Sequence, residues 1–156
     1  MIKPCLWFDG NAEDAAEFYV SVFPNSRIDA RSTSGIDWPG GKAGDCILVD
    51  FTFDGLNYQA MNGGPGPAFS DAMSQSVSCA DQAEMDRLWN ALQTDGGEPV
   101  MCGWLKDRFG VRWRIVPREF EAMIRDNDPE RSKRAMTAMS EMVKLDVAKL
   151  KAAYEG

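Results

Sequence analysis

The 156-residue sequence predicts an α+β protein of two βαβββ modules, whose mixed, curved sheets form a concave cleft, followed by a C-terminal helical tail. The main observation is an internal repeat. A short strand runs into a helix that opens on a small polar residue, once over residues 6–13 and again over residues 77–84. A repeat of about seventy residues predicts two copies of one supersecondary unit around a shared core.

In the first copy, residues 2–8 predict a strand, and residues 12–23 predict a helix with Asn11 as its N-cap, because apolar residues recur every three to four positions. Four further segments complete this copy: a strand near 26–33, a Pro- and Gly-rich loop at 37–44, and strands at 46–53 and 56–62. The last two strands form a hairpin, since their apolar residues alternate and Asp54-Gly55 favours a tight turn.

A glycine–proline stretch at 63–67 separates the two modules, which we place at residues 1–64 and 70–117. The second module repeats the order of the first. Its predicted elements are a strand near 73–79, a helix that runs to about residue 94, and strands near 99–104 and 110–116. Asp81 is the expected N-cap of the helix, and Glu84 three residues later resembles a capping box.

Residues 118–156 predict a helical extension that is too short to form a domain of its own. Residues 118–125 are expected to be helical, and Asp128-Pro129 and Asp146 mark the starts of two more helices. Met136, Met139 and Val143 form an apolar stripe. We expect this tail to pack on the body of the protein or on a partner chain.

Composition excludes several classes of function. The formal net charge is −7, which disfavours binding to nucleic acids and to anionic membranes. No apolar run approaches the roughly 20 residues needed to span a bilayer, and the N-terminus does not resemble a signal peptide. The four cysteines are widely spaced, which is typical of a reducing compartment. These features predict a cytoplasmic protein.

Three segments resemble the PhnB-like family, whose members are often labelled 3-demethylubiquinone-9 3-methyltransferases. They are LWFDGNAEDAAEFY at 6–19, NGGP at 62–65 and CGWLKDRFGVRWRIVP at 102–117. This family belongs to the vicinal-oxygen-chelate superfamily, together with glyoxalases, bleomycin-resistance proteins and extradiol dioxygenases. The resemblance implies paired βαβββ modules and a homodimer.

The superfamily resemblance also implies a divalent metal held by His and Glu, and this chain contains no histidine. The corresponding positions fall near residues 3–5, at Ser74 or Gln75, and at Arg114. A guanidinium cannot coordinate a cation. We therefore predict neither a metal nor another cofactor. The methyltransferase label is also disfavoured, because no glycine pair opens a helix after a buried strand, as a cofactor-cradling turn requires.

Four side chains are predicted to bind the ligand, because the strand assignments turn them toward the cleft: Trp7, Gln59, Trp104 and Arg114. The set combines aromatic surface with a few polar groups, as small-molecule pockets do. Arg114 is expected to hold a carboxylate or phosphate. Arg112, two positions earlier, is predicted to point to the same side of the strand. Two alternatives stay open: a salt bridge of Arg114 to a carboxylate such as Asp50, and tryptophans that only fill the cleft or a dimer interface.

Three classes of function follow from these observations. We favour a small-molecule-binding protein, or an enzyme of uncharacterised reaction, on a metal-free scaffold like that of the bleomycin-resistance proteins. The second class is a lyase or dioxygenase whose divalent metal has oxygen ligands only. The third is a non-catalytic dimeric regulatory protein.

Overall fold

The computed structural model describes residues 1–156, which divide into two compact units, Met1–Ala68 and Phe69–Gly156. Each unit contains one four-stranded mixed sheet, and the C-terminal residues are helical. The predicted α+β class, with a mixed sheet in each half of the chain, is confirmed. None of the helices is long and apolar enough to cross a bilayer.

The first unit contains one helix and four strands: β1 (Cys5–Phe8), α1 (Ala12–Val22), β2 (Arg27–Thr33), β3 (Cys46–Phe53) and β4 (Leu56–Asn62). The strands lie in the order β1-β4-β3-β2, with β1 parallel to β4 and the other pairs antiparallel. Helix α1 packs on one face of this sheet through the buried side chains of Ala12, Ala15, Ala16 and Tyr19. The strands contribute aromatic residues to the same core, among them Phe51 and Phe53.

Helix α1 begins at the predicted residue, with Asn11 at the N-cap position, but a different side chain caps it. The side chain of Asn11 makes no capping hydrogen bond. Instead, Oδ1 of the buried Asn62 on β4 accepts a hydrogen bond from the backbone N–H of Ala12 at 2.9 Å. The amide nitrogen of Asn62 donates to the carbonyl of Cys46 at 3.0 Å, which fixes its orientation. A residue fifty positions away therefore satisfies the helix start.

The second unit repeats this topology and extends it with three helices. Its elements are β5 (Gln75–Cys79), α2 (Gln82–Leu92), β6 (Glu98–Pro99), β7 (Trp104–Lys106), β8 (Arg112–Pro117), α3 (Arg118–Met123), α4 (Pro129–Ser140) and α5 (Val147–Glu155). The strand order is β5-β8-β7-β6, with β5 parallel to β8. The predicted cap of α2 is confirmed, since Asp81 accepts a hydrogen bond from the backbone N–H of Glu84 at 2.8 Å.

The strand predicted near 99–104 is wrong, because residues 100–103 form a turn between the short strands β6 and β7. Cys102 has φ +64° and Gly103 has φ +81°, values that no β-strand accommodates. Their backbone N–H groups donate to the carbonyls of Met142 and Val143, at 2.7 and 2.8 Å. The turn is thus stabilised by the segment between α4 and α5.

The tail helices belong to the second unit and contact its strand β8 and its helix α2. Their predicted N-caps are confirmed, because the carboxylate of Asp128 accepts from the backbone N–H groups of Glu130 and Arg131, and that of Asp146 accepts from the N–H of Lys149. Gln82 of α2 donates to the carbonyl of Leu145 and accepts from the N–H of Val147. Leu145 is fully buried, whereas the stripe residues Met136 and Val143 remain 49% and 44% exposed.

Candidate functional site

The face of each sheet that does not pack on α1 or α2 carries a row of three neighbouring side chains. In the first unit the row is Cys5, Gln59 and Asp50, on β1, β4 and β3. In the second unit the corresponding row is Ser76, Arg114 and Trp104, on β5, β8 and β7. We call these the first row and the second row. Because the two topologies match, Gln59 and Arg114 occupy equivalent positions in their modules.

Two members of the first row, Gln59 and Asp50, form a hydrogen-bonded network with Lys3. The ammonium group of Lys3 lies 2.8 Å from Oδ1 of Asp50, and the side-chain amide of Gln59 donates to the same oxygen at 3.0 Å. The hydrogen bond from Lys3, followed by that from Gln59, lowers the pKa of the Asp50 carboxyl. Within its own unit, Asp50 is therefore already neutralised by Lys3, and the Gln59 amide is engaged by Asp50.

Trp7 lies on the same face as the first row, one pair of residues further along β1. Its indole N–H donates to the carbonyl of Gly64 at 2.8 Å. Its ring covers Gly63 so closely that a Cβ atom there would lie 2.3 Å from ring carbons. Trp38, which the sequence analysis did not single out, donates similarly to the carbonyl of Asn62 at 2.6 Å. Both indoles therefore stabilise the chain at the end of β4 by hydrogen bonds. Trp7 is half-buried, so only part of its ring could contact a ligand.

The second row contains a guanidinium with few partners. One terminal nitrogen of Arg114 donates to Oγ of Ser76 at 3.2 Å, and the same nitrogen lies 3.9 Å from a carboxylate oxygen of Glu121. Glu121 in turn accepts a 2.8 Å hydrogen bond from Ser78. A guanidinium has five N–H donors in a fixed fork. Arg114, with 28% of its side chain exposed, thus has donors available for a further acceptor.

Two more cations lie on this face beside the second row. Arg112 precedes Arg114 by two positions on β8 and pairs in register with Lys106 on β7. Lys106 forms a 2.8 Å ion pair with Glu98. Arg114, Arg112 and Lys106 therefore lie on the same sheet face as Trp104, in a protein whose net charge is −7. Alternation along β8 already places Arg112 on this face, whereas Lys106 and Glu121 were not among the predicted site residues. Alternation from Trp104 also predicts Lys106 on this face, but no local pattern indicates Glu121.

Two of the four predicted site residues lie in each unit. Arg114 and Trp104 are direct cross-strand neighbours in the second unit. In the first unit, Trp7 and Gln59 lie on adjacent strands but in different rows, since Trp7 pairs with Met61. No group of three or more Cys, Asp and Glu side chains comes together in a way that could hold a metal ion.

A family model described as 3-demethylubiquinone-9 3-methyltransferase matches residues 1–116. The chain belongs to this family. A PhnB protein of the same description from Bacillus cereus is 32% identical, with a TM-score of 0.67, over 74% of this chain and 98% of that one. The resemblance to the PhnB-like family is therefore confirmed, and residues after 116 lie outside the matched range.

Two further structures are similar to this PhnB-like chain. A protein from Pseudomonas aeruginosa is 25% identical, with a TM-score of 0.59, over 75% of this chain and 96% of that one. A glyoxylase/bleomycin resistance protein/dioxygenase domain from Frankia sp. EAN1pec is 12% identical, with a TM-score of 0.47, over 75% of this chain and 90% of that one. A search of curated proteins finds no significant match.

Proposed function

We propose that this PhnB-like protein binds a small anionic molecule at the second row, as a binding protein or as an enzyme whose reaction is not yet defined. The observation that carries the proposal is the incomplete pairing of Arg114 beside Trp104. Its only hydrogen bond is to a serine hydroxyl, and its carboxylate neighbour lies 3.9 Å away. An anionic ligand would complete the fork with charge-assisted hydrogen bonds.

The comparison between the two rows supports this choice of module. The equivalent position in the first unit, Gln59, is neutral and already bonded to Asp50. In the second unit the equivalent of Asp50 is Trp104, which offers an apolar ring instead of a carboxylate. A half-buried aromatic surface beside a cation is a common composition for small-molecule sites. We therefore assign the ligand's charged group to Arg114 and its carbon skeleton to Trp104.

We do not extend the methyltransferase description to this chain. Each sheet has only one parallel strand pair, whereas the usual methyltransferase cofactor lies on a parallel sheet at a glycine-rich turn that opens a helix. The glycine pairs here have other roles. Gly40 packs against the backbone of residues 62 and 64, and Gly97 follows the end of α2. Binding of an anion at the second row accounts for Arg114 without such a cofactor.

The experiment compares Arg114→Met with Arg118→Met, a matched change at an exposed arginine of the same unit. Met keeps much of the packing of the arginine stem but removes its charge. We expect anions that raise the melting temperature of the wild-type protein to bind Arg114→Met about ten- to a hundredfold more weakly, because a hydrogen bond to a charged group contributes about 1.5–3 kcal/mol. Titration calorimetry with each responding anion measures the change. Equal affinities for wild-type protein and Arg114→Met would contradict the proposal.

We further propose that the protein acts as a homodimer. Strand β2 is an edge of its sheet and is largely exposed over seven residues, and such edges favour pairing with another chain. Exposed apolar side chains add to the surface that a partner would cover, namely Val100, Met101, Met136 and Val143.

A further inference from the structure

We propose that the ligand is a dicarboxylate, with one carboxylate held by Arg114 and the other by Arg112. This inference rests on the proposed function and adds the number and spacing of the ligand's charges. Both side chains project from the same face of β8, because they are two residues apart on a regular strand. Their Cα atoms are thus separated by about 6.6 Å.

Arg112 contributes an observation of its own. Its Nε atom is buried and makes no hydrogen bond. Oδ1 of Asp71 lies 2.8 Å from this nitrogen, but the N–H is not directed at that oxygen. Nε is thus ion-paired but has no aligned acceptor, and a ligand carboxylate that meets its N–H in line would gain a hydrogen bond that Asp71 does not supply.

Asp71 is poorly suited to be the permanent partner of Arg112. Its side chain is 83% exposed, whereas that of Arg112 is 22% exposed. Ion pairs with one solvated partner contribute little to stability, so a ligand carboxylate displaces Asp71 at small cost. A carboxylate that approaches along the fork of Arg112 can accept from Nε and a terminal nitrogen together, which Asp71 does not do here.

The side chains of the neighbouring strand β7 favour a ligand whose two charged groups are joined by a carbon chain. Trp104 lies beside Arg114, and its ring provides an apolar surface along which a short methylene chain can run. Lys106 lies beside Arg112, but its ammonium group is already paired with Glu98 at 2.8 Å. Arg112 is ion-paired with Asp71 at the same distance, but only the ammonium group of Lys106 also forms a hydrogen bond with its carboxylate, so we assign the second carboxylate of the ligand to Arg112. Each guanidinium can therefore hold one carboxylate of the same ligand.

The test compares adipate with hexanoate, which have the same number of carbons but two carboxylates and one carboxylate respectively. Both are titrated calorimetrically into the wild-type protein, Arg112→Met, Arg114→Met and the control Arg118→Met at physiological salt. In the wild-type protein we expect adipate to bind about ten- to a hundredfold more tightly than hexanoate. This preference should fall to about twofold or less in either single variant and persist in the control. Succinate, glutarate and pimelate then report the preferred spacing.

Arg112→Lys complements Arg112→Met, because it keeps the charge but removes the Nε donor, and it should lose most of the preference as well. The dicarboxylate assignment is wrong if the wild-type protein binds adipate and hexanoate with similar affinity. It is also wrong if the preference for adipate persists in both Arg112→Met and Arg114→Met. Tighter binding of inorganic phosphate than of every dicarboxylate overturns it as well. In each case the proposed function stands if binding of the preferred anion still depends on Arg114. If no member of the series and no other anion binds, both proposals are wrong.

Discussion

Asp107 shows at the scale of a single residue how the turn between β7 and β8 is stabilised. The residue is only 1% exposed. Its Oδ1 accepts hydrogen bonds from the backbone N–H groups of Phe109 and Val111 at 2.9 and 3.0 Å. Its Oδ2 accepts from the indole N–H of the buried Trp113 at 2.8 Å. One carboxylate thus joins the turn to the core beneath the second row.

We predict that Asp107→Asn destabilises the protein by about 2–4 kcal/mol, because an amide has one acceptor oxygen and leaves at least one buried donor unsatisfied. The free energy of unfolding in urea measures the change. Asp95→Asn is the control, since Asp95 is exposed and its ion pair with Arg108 is at the surface. It should change the free energy of unfolding by less than about 1 kcal/mol. Similar losses in the two variants would contradict the role assigned to Asp107.

At the scale of elements, the two module helices begin in different ways. Helix α2 uses its own N-cap, Asp81, and Glu84 accepts from the N–H of Ala80 in return. Helix α1 depends on Asn62 of β4 instead. The start of α1 is thus coupled to the sheet, because its first backbone N–H donates to a side chain fifty residues away.

We predict that Asn62→Ala costs about 1–3 kcal/mol of stability, since it leaves the N–H of Ala12 and the carbonyl of Cys46 without their partner. Asn11→Ala should cost less than about 0.5 kcal/mol, because the Asn11 side chain makes no capping bond. Urea unfolding of both variants provides the measurement. A larger loss for Asn11→Ala would show that the local residue is the true cap.

The C-terminal helix α5 is tied to the segment before α4 by the hydroxyl of Tyr154, which donates to the carboxylate of Asp126. The guanidinium of Arg131 lies 4.1 Å from the centre of the Tyr154 ring. This hydrogen bond raises the pKa of Tyr154 and lowers the pKa of Asp126. The strength of this contact therefore depends on the protonation of both the Tyr154 hydroxyl and the Asp126 carboxyl.

The two pKa shifts predict a pH window for Tyr154→Phe. The lowered pKa of Asp126 stabilises the fold above its ordinary value of 3.8, and this contribution is lost as the pH falls through the lowered pKa. The raised pKa of Tyr154 stabilises the fold below 10.0, and this contribution is lost as the pH rises through the raised pKa. The melting temperature of Tyr154→Phe should therefore differ most from wild type near neutral pH. A difference that grows toward pH 3 would contradict this.

At the scale of the whole molecule, we predict that light scattering across micromolar concentrations detects a dimer. The exposed edge strand β2 and the apolar side chains around residues 100–101 and 136–143 are the surfaces expected to be covered. Met136→Glu and Val143→Glu probe the apolar group, and Ala72→Glu, at an exposed position in a loop, is the control. A particle of 17.3 kDa at all concentrations would contradict the dimer.

Local signals in the sequence determined most of the elements of this protein. Asp81, Asp128 and Asp146 cap helices that begin at the next residue, because a capping side chain acts within two or three positions of itself. Alternation along a strand has the same short reach. It already predicts that Arg114 and Arg112 share one face of β8 and that Trp113 and Ile115 share the other. The sequence of helices and strands along each module follows from these short-range patterns.

Only the tertiary structure decided which distant groups meet. The cap of α1 by Asn62 spans fifty residues, and the turn at 100–103 takes its form from the carbonyls of Met142 and Val143. Likewise, alternation could not show that Asp50 is neutralised by Lys3, or that Arg112 keeps a buried donor unbonded. Hydrogen bonds and ion pairs form between atoms a few ångströms apart, and the folded backbone alone sets that distance for residues far apart in the chain.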